Sequence, residues 1–189
     1  AVGVLLPNVN GLVVTLLGLN AYGRIAALLN FTSGIKNLQS AVKTAEVRTL
    51  VTSRRFIDTA KLEDVIAALS AVEVVPGKPL RIVYLEDVRR GIGTKDKLLG
   101  AVRALFARSH VQRHGLGPDR PAAILFTSGT EGTPKGVVLS NRNLIANAQQ
   151  IAQHAANALT SADTAMNPLP MFHSFGLTAG TLFPLFNGM

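Results

Sequence analysis

Residues 122–139 read A-A-I-L-F-T-S-G-T-E-G-T-P-K-G-V-V-L: an apolar run, a polar loop and a second apolar run. The loop, Thr127 to Gly136, spends four hydroxyl residues, three glycines and a lysine, Lys135, which is its only cation. Glycines let a backbone approach an anion, hydroxyls and peptide N–H groups donate hydrogen bonds, and a lysine adds a point charge. A plain turn between strands needs only about two to four special residues, so this composition points to phosphate handling.

The flanks decide what kind of phosphate loop this is. Gly136 follows the lysine, and then come the β-branched Val137 and Val138, so the loop opens into a strand. A Walker A loop has the pattern G-x-x-x-x-G-K-[ST] and runs into a helix, which the spacing from Gly129 to Lys135 does not match. No G-x-G-x-x-G opens a helix, so the dinucleotide fingerprint is also absent. Phosphate on this loop would sit between strands, without a helix dipole behind it.

Working outward, strand and helix periods alternate through the chain. Ala1 to Leu6 suits a buried strand, and Val9, Leu12, Val13, Leu16 and Leu17 then recur at helical spacing in a segment apolar nearly all round. Ile25 to Phe31 is a second short apolar run. Thr32-Ser33 can cap a helix whose Ile35, Leu38, Val42 and Ala45 share a face. Arg48 to Thr52 reads as a strand, Asp58 or Thr59 as the start of a helix, and Arg81 to Leu85 as a further strand. Residues 86–97 are polar, and a helix follows with Leu98, Leu99, Val102, Leu105 and Phe106 on one side. After the loop, the strand at 137–139 leads to a helix capped by Ser140, and Thr164 to Met166 suits one more strand. This alternation predicts an α/β fold, a largely parallel sheet flanked by helices in α-β-α layers. Arg108 to Pro121, basic and rich in Gly and Pro, divides the chain into a first α/β portion, 1–120, and a phosphate-loop portion, 121–189.

Composition narrows the function classes. At 48% hydrophobic and 16% charged residues, the 189-residue chain has ample material for a core. It has no cysteine, which removes disulfides, thiolate metal sites and a cysteine nucleophile, and fits a reducing compartment. The net charge of +8 fits an ordinary basic surface, an acidic protein partner or anionic lipid. Nucleic acid ranks last and is not expected as a partner, because there is no basic stripe interleaved with aromatics and there are only two tyrosines and no tryptophan. Residues 1–35 carry a single charge, Arg24, but Pro7, Asn8 and Asn10 split them into runs short of the roughly 20 apolar residues that span a bilayer.

Few other residues carry chemistry. His110 and His114 are spaced for one helix face, but no Glu lies between them and no Cys is available, so they read as a surface pair and no metal site is expected. His114 and Asp119 form a two-residue pattern that arises easily by chance. His173, in P-M-F-H-S-F-G at 170–176, follows apolar residues at the end of the strand expected there, where open α/β sheets place ligands. A substrate-site role for His173 is therefore preferred over a structural one. Glu131 and Asp163 are the only carboxylates after Asp119, so no paired carboxylates or triad are available.

T-S-G-T-E-G-T-P-K-G followed by P-M-F-H-S-F-G resembles two successive core motifs of the adenylate-forming superfamily, which includes acyl-CoA synthetases, luciferases and adenylation domains. A narrower resemblance is to the synthetase half of bifunctional 2-acylglycerophosphoethanolamine acyltransferase / acyl-[acyl-carrier-protein] synthetases. It rests on L-L-P-N at 5–8, A-L-L-N-F-T-S-G-I-K-N-L at 27–38, S-A-V-K-T-A-E-V-R-T-L-V-T-S-R at 40–54, V-Y-L-E-D at 83–87 and L-P-M-F-H-S-F-G-L-T at 169–178.

What the resemblance implies is a two-step ligase. A fatty acid carboxylate attacks the α-phosphate of ATP with Mg²⁺, and the acyl group passes to the thiol of acyl carrier protein, or of CoA. In a fused parent it can pass on to a lysophospholipid. By position, Thr127, Ser128, Gly129, Thr130, Gly132, Thr133 and Lys135 would bind the cofactor phosphates, and His173 would line the acyl and carboxylate pocket. The implied setting is cytoplasmic, or the cytoplasmic face of the inner membrane, with membrane association of the parent. Both ends of the chain look cut. The family's later motifs and the acyltransferase domain would lie outside it, so the fragment alone is expected to be inactive. A non-catalytic nucleotide- or acyl-binding module and a basic interaction domain stay open beside the enzyme reading.

Overall fold

The computed structural model describes residues 1–109, 117–127, 134–155 and 158–189. Its centre is a six-stranded sheet in the order β6-β3-β1-β2-β7-β8. The strands are β1 (Val2–Val4), β2 (Ala26–Leu28), β3 (Thr49–Thr52), β6 (Arg81–Tyr84), β7 (Pro121–Thr127) and β8 (Lys135–Ser140). The first five run parallel and β8 alone is antiparallel, so the expected α/β class with a largely parallel sheet is what the chain forms. β4 (Glu73–Val75) and β5 (Lys78–Pro79) make a separate small ribbon around Pro76-Gly77, where Gly77 takes φ 71°.

Both faces of the sheet are covered, which is why β1 and β2 read as unbroken apolar runs. Successive residues in a strand point to opposite faces. Val4, Leu6, Ala26, Leu28 and Leu125 meet Leu12 and Leu16 of α1 (Asn10–Ala21) on one face. Leu5, Ala27, Leu29 and Ile124 meet Leu38 and Val42 of α2 (Ile35–Thr44) on the other. Only Leu12 and Leu16 of α1 are buried, and Val14 on the same helix is 70% exposed, so its all-round apolar character is not matched by all-round burial.

Several local expectations need correction. Thr32 and Ser33 do not cap α2; the cap is Gly34, at φ 82°, and both hydroxyls bond to Asn30 instead. The helix expected from Asp58 is two helices, α3 (Arg54–Ala60) and α4 (Glu63–Ser70). Ser53 caps α3 by accepting from the Phe56 N–H at 3.3 Å, and Lys61, left-handed at φ 55°, ends it. The polar stretch 86–97, read from the sequence without an element, is largely helical. α5 (Leu85–Gly91) has Glu86 and Asp87 in its first turn and Arg89 and Arg90 in its last, the order a helix dipole favours, and α6 (Thr94–Leu105) follows.

Thr164 to Met166 forms no strand. Met166 is 88% exposed, Pro168 cannot donate to a ladder, and the Asn167 side chain donates to Gly176 O and Thr181 Oγ1. The Ser140 cap, by contrast, is present as a reciprocal pair at the start of α7 (Asn141–Ala155). Asn143 N–H donates to Ser140 Oγ at 3.2 Å, and Ser140 N–H donates to Asn143 Oδ1 at 2.9 Å. The chain closes with α8 (Ser174–Leu177), a π-helical turn (Thr178–Leu182) and α9 (Phe183–Phe186).

Candidate functional site

The glycine- and hydroxyl-rich loop hangs from the β7–β8 hairpin. Its ends face each other across the hairpin base, with Phe126 opposite Gly136 and Thr127 opposite Lys135. Because β7 is hydrogen-bonded to β2 within the sheet, the loop starts from a rigid edge. It leads from one strand to the next, with no helix between β7 and β8 among the described residues. Ser128, Gly129, Thr130, Gly132 and Thr133 lie outside the described residues, as do His110 and His114.

Thr127 and Pro134, at the two ends of the loop, line a cavity of about 510 Å³ together with Phe172, His173 and Ser174. Leu38, Ala41 and Leu125 give it apolar walls, and Asn30, Ser33 and Asn37 add amide and hydroxyl groups. Thus Thr127 and His173, far apart in sequence, are brought to one space at the carboxyl end of β7. Lys135 is exposed at the hairpin base and does not line the cavity. Among the described residues no carboxylate lines the cavity or pairs with Lys135.

His173 is not at the end of a strand, as the sequence suggested; it is the extended residue before α8, and its side chain makes no capping bond. Its exposure follows from how the preceding segment is tied down. Asn8, just after β1, donates from Nδ2 to Leu169 O at 2.7 Å and accepts the Met171 N–H at Oδ1 at 3.0 Å. Phe172 packs edge-on against Phe31 at 5.3 Å between ring centroids, and Phe31 against Phe56 at 5.0 Å. A Cβ on Gly176 would overlap the Pro170 carbonyl, so a glycine is required where α8 turns under this segment.

Asn8 and Asn167 are positioning residues that sequence reasoning missed. In the sequence Asn8 read only as a residue that splits an apolar stretch, and its partners lie about 160 residues away, where no local pattern reaches. Asp119 accepts a two-pronged bond from Arg142 at 2.7 and 3.1 Å, which holds its carboxyl below the usual range. That pairing gives Asp119 a structural partner of its own.

A second cavity, of about 740 Å³, opens at the carboxyl ends of β1, β3 and β6 between Leu6, Phe56 and Leu85. Glu86 lies on its wall. Burial pushes its carboxyl up, but bonds from Ser53 Oγ at 2.7 Å and from the backbone N–H groups of Arg54 and Arg55 outweigh this and hold it at about 2. Among the described residues no three His, Cys, Asp or Glu side chains converge as a metal site, and no helix is long and apolar enough to cross a membrane.

Over residues 1–189 the sequence matches the AMP-binding enzyme family. The chain belongs to that family. As an AMP-binding enzyme it is similar to acyl-CoA ligase sidI of Beauveria bassiana, 27% identical over 187 residues, which is 96% of this chain and 30% of the relative. It is similar also to the medium-chain-fatty-acid–[acyl-carrier-protein] ligase JamA of Moorena producens, 37% identical over 78 residues, 41% of this chain and 13% of the relative. Among solved structures, a malonyl-CoA ligase ternary product complex with methylmalonyl-CoA and AMP bound has a TM-score of 0.68 and 26% identity, covering 99% of this chain and 33% of that one. The chain therefore spans about a third or less of the length of these relatives.

Proposed function

We propose that this chain carries part of the site of an ATP-dependent acyl ligase. The observation that carries the reading is that Thr127 and Pro134, at the ends of the loop, and His173 line one cavity free of lining carboxylates among the described residues. Such a lining fits anions. ATP supplies the electrophilic α-phosphorus: the substrate carboxylate oxygen attacks it, the bond to the bridging oxygen breaks, and pyrophosphate leaves. A thiol then attacks the acyl carbon, forming the thioester and expelling AMP. Thr127, Ser128, Gly129, Thr130, Gly132, Thr133 and Lys135 hold the β- and γ-phosphates, where fixed donors and one cation offset the charge of departing pyrophosphate. His173 lines the pocket for the carboxylate and the first carbons of the acyl chain. Mg²⁺ accompanies the phosphates, with its protein ligands outside the residues named here.

The substrate is a fatty acid and the acceptor an acyl carrier protein, as in the name of the Moorena relative and in the narrower sequence resemblance. In this reading a parent protein passes the acyl group on to lysophosphatidylethanolamine in or beside the cytoplasm. CoA is the second reading, favoured by the Beauveria relative and by the malonyl-CoA ligase structure. The test is fatty-acid-dependent exchange of labelled pyrophosphate into ATP by the protein expressed from its full coding sequence. Lys135→Ala is expected to lower exchange by about 10²–10³, the usual loss when one transition-state donor is removed. Unchanged exchange in that variant, or none in the wild type, overturns the reading. Acceptor assays with carrier protein and with CoA separate its two forms.

A further inference from the structure

Every residue from Asp87 to Ser109 is exposed, and α6 lies in the middle of that segment. At 100° per residue, Leu98, Leu99, Val102, Leu105 and Phe106 fall on one side of the helix. They are 68%, 54%, 47%, 81% and 64% exposed. Val88 and Ile92, 45% and 46% exposed, extend the apolar surface toward α5. Twelve-residue helices are marginal in water, and an amphipathic helix gains its stability by covering its apolar face. On this one nothing among the described residues does.

The charges around the stripe choose its cover. Between residues 88 and 109 stand six cations, Arg89, Arg90, Lys95, Lys97, Arg103 and Arg108, against one carboxylate, Asp96. Asp96 is engaged in capping, accepting the Gly93 N–H at 2.9 Å. Of the six cations only Arg90 has an ion-pair partner among the described residues, Asp87 at 3.7 Å. An acidic protein would satisfy the charges, and its capture is one outcome of the test below. Five aliphatic and aromatic side chains 47–81% exposed beside this many cations favour a lipid interface, which takes up apolar side chains and offers anionic headgroups on one surface. Leucines and a phenylalanine on one side with lysine and arginine flanking them is the composition of a helix that lies in a lipid interface.

We infer that α6 docks this chain on an anionic lipid bilayer, with the Leu98–Phe106 stripe entering the acyl boundary and the flanking lysines and arginines at the headgroup phosphates. The helix is too short to span, so the contact is with one leaflet. The inference rests on α6 alone and stands or falls independently of the ligase reading.

The test is cosedimentation of the protein expressed from its full coding sequence with vesicles of phosphatidylcholine containing about one third phosphatidylglycerol, against phosphatidylcholine alone. Binding is expected on the anionic vesicles and is expected to weaken with salt. Leu98→Asp with Leu105→Asp is expected to lower the partition coefficient at least about tenfold, and Lys97→Glu with Arg103→Glu to lower it on anionic vesicles by a similar factor. All four positions are exposed, so far-ultraviolet circular dichroism should show an unchanged fold core. Failure of the wild type to bind, equal binding to neutral vesicles, or unaltered binding in both double variants overturns the proposal. So does lipid-free self-association, or capture of an acidic carrier protein, that is lost in the Leu98/Leu105 variant while vesicle binding is absent.

Discussion

Asn8 shows how much can hang on one side chain. It satisfies Leu169 O and the Met171 N–H at once, and so fixes the segment that presents Phe172 and His173 to the cavity. Asn8→Ala removes both bonds where water can partly replace them, so a loss of about 1 kcal/mol in urea unfolding is expected. The sharper readout is kinetic: in pyrophosphate exchange the KM for fatty acid should rise several-fold while the KM for ATP moves little. Glu86 gives a second test at this scale. Its carboxyl is held at about 2 in the fold, below its ordinary 4.5, so its contribution to stability is present above about pH 4.5 and lost as pH falls toward 2. Glu86→Gln should therefore flatten the decline of the urea midpoint between those pH values. Parallel declines in the two proteins would show that Glu86 is not the titrating group.

At the level of elements, the sequence made legible what repeats and hid what is tied across distance. The parallel core was readable because β1, β2 and β7 are buried on both faces and so are continuously apolar. The loop ends were readable because a strand, not a helix, had to follow Gly136, and β8 does. Hidden were the stretches where short-range chemistry has two solutions. Thr32 and Ser33 satisfy Asn30 rather than the next helix, and Thr164 to Met166 has strand-like residues but leads into Asn167, which is committed to α8 and the π turn. The α3–α4 break was equally silent, since a lysine carries the left-handed turn at φ 55° and ψ 51°. That geometry costs a lysine about 1–2 kcal/mol, of which glycine's extra unfolded freedom takes back part. Lys61→Gly is thus expected to stabilise by about 0.5–1 kcal/mol in denaturant unfolding.

For the molecule as a whole, the proposed reaction places its phosphate and carboxylate sides in the cavity lined by Thr127, Pro134 and His173. The aligned region is 30% of the Beauveria relative and 33% of the malonyl-CoA ligase. Among the described residues no three His, Cys, Asp or Glu side chains converge to hold a metal ion beside the phosphates. Residues 1–189 alone should accordingly yield no acyl hydroxamate when incubated with ATP, palmitate and hydroxylamine. Hydroxamate formation would show that this part of the family's fold is catalytically sufficient.

The strand order has a consequence for the chain's birth. β2 leaves one edge open until β7 pairs with it through Ala26–Ala123 and Ala27–Ile124. At about 5–20 residues per second, the intervening stretch takes about 5–20 s to synthesise, and for that time the unpaired N–H and C=O edge of an apolar strand faces the nascent chain's surroundings. Segment 29–120 is therefore also a delay line, and ribosome-bound intermediates ending before β7 should be the ones that engage chaperones.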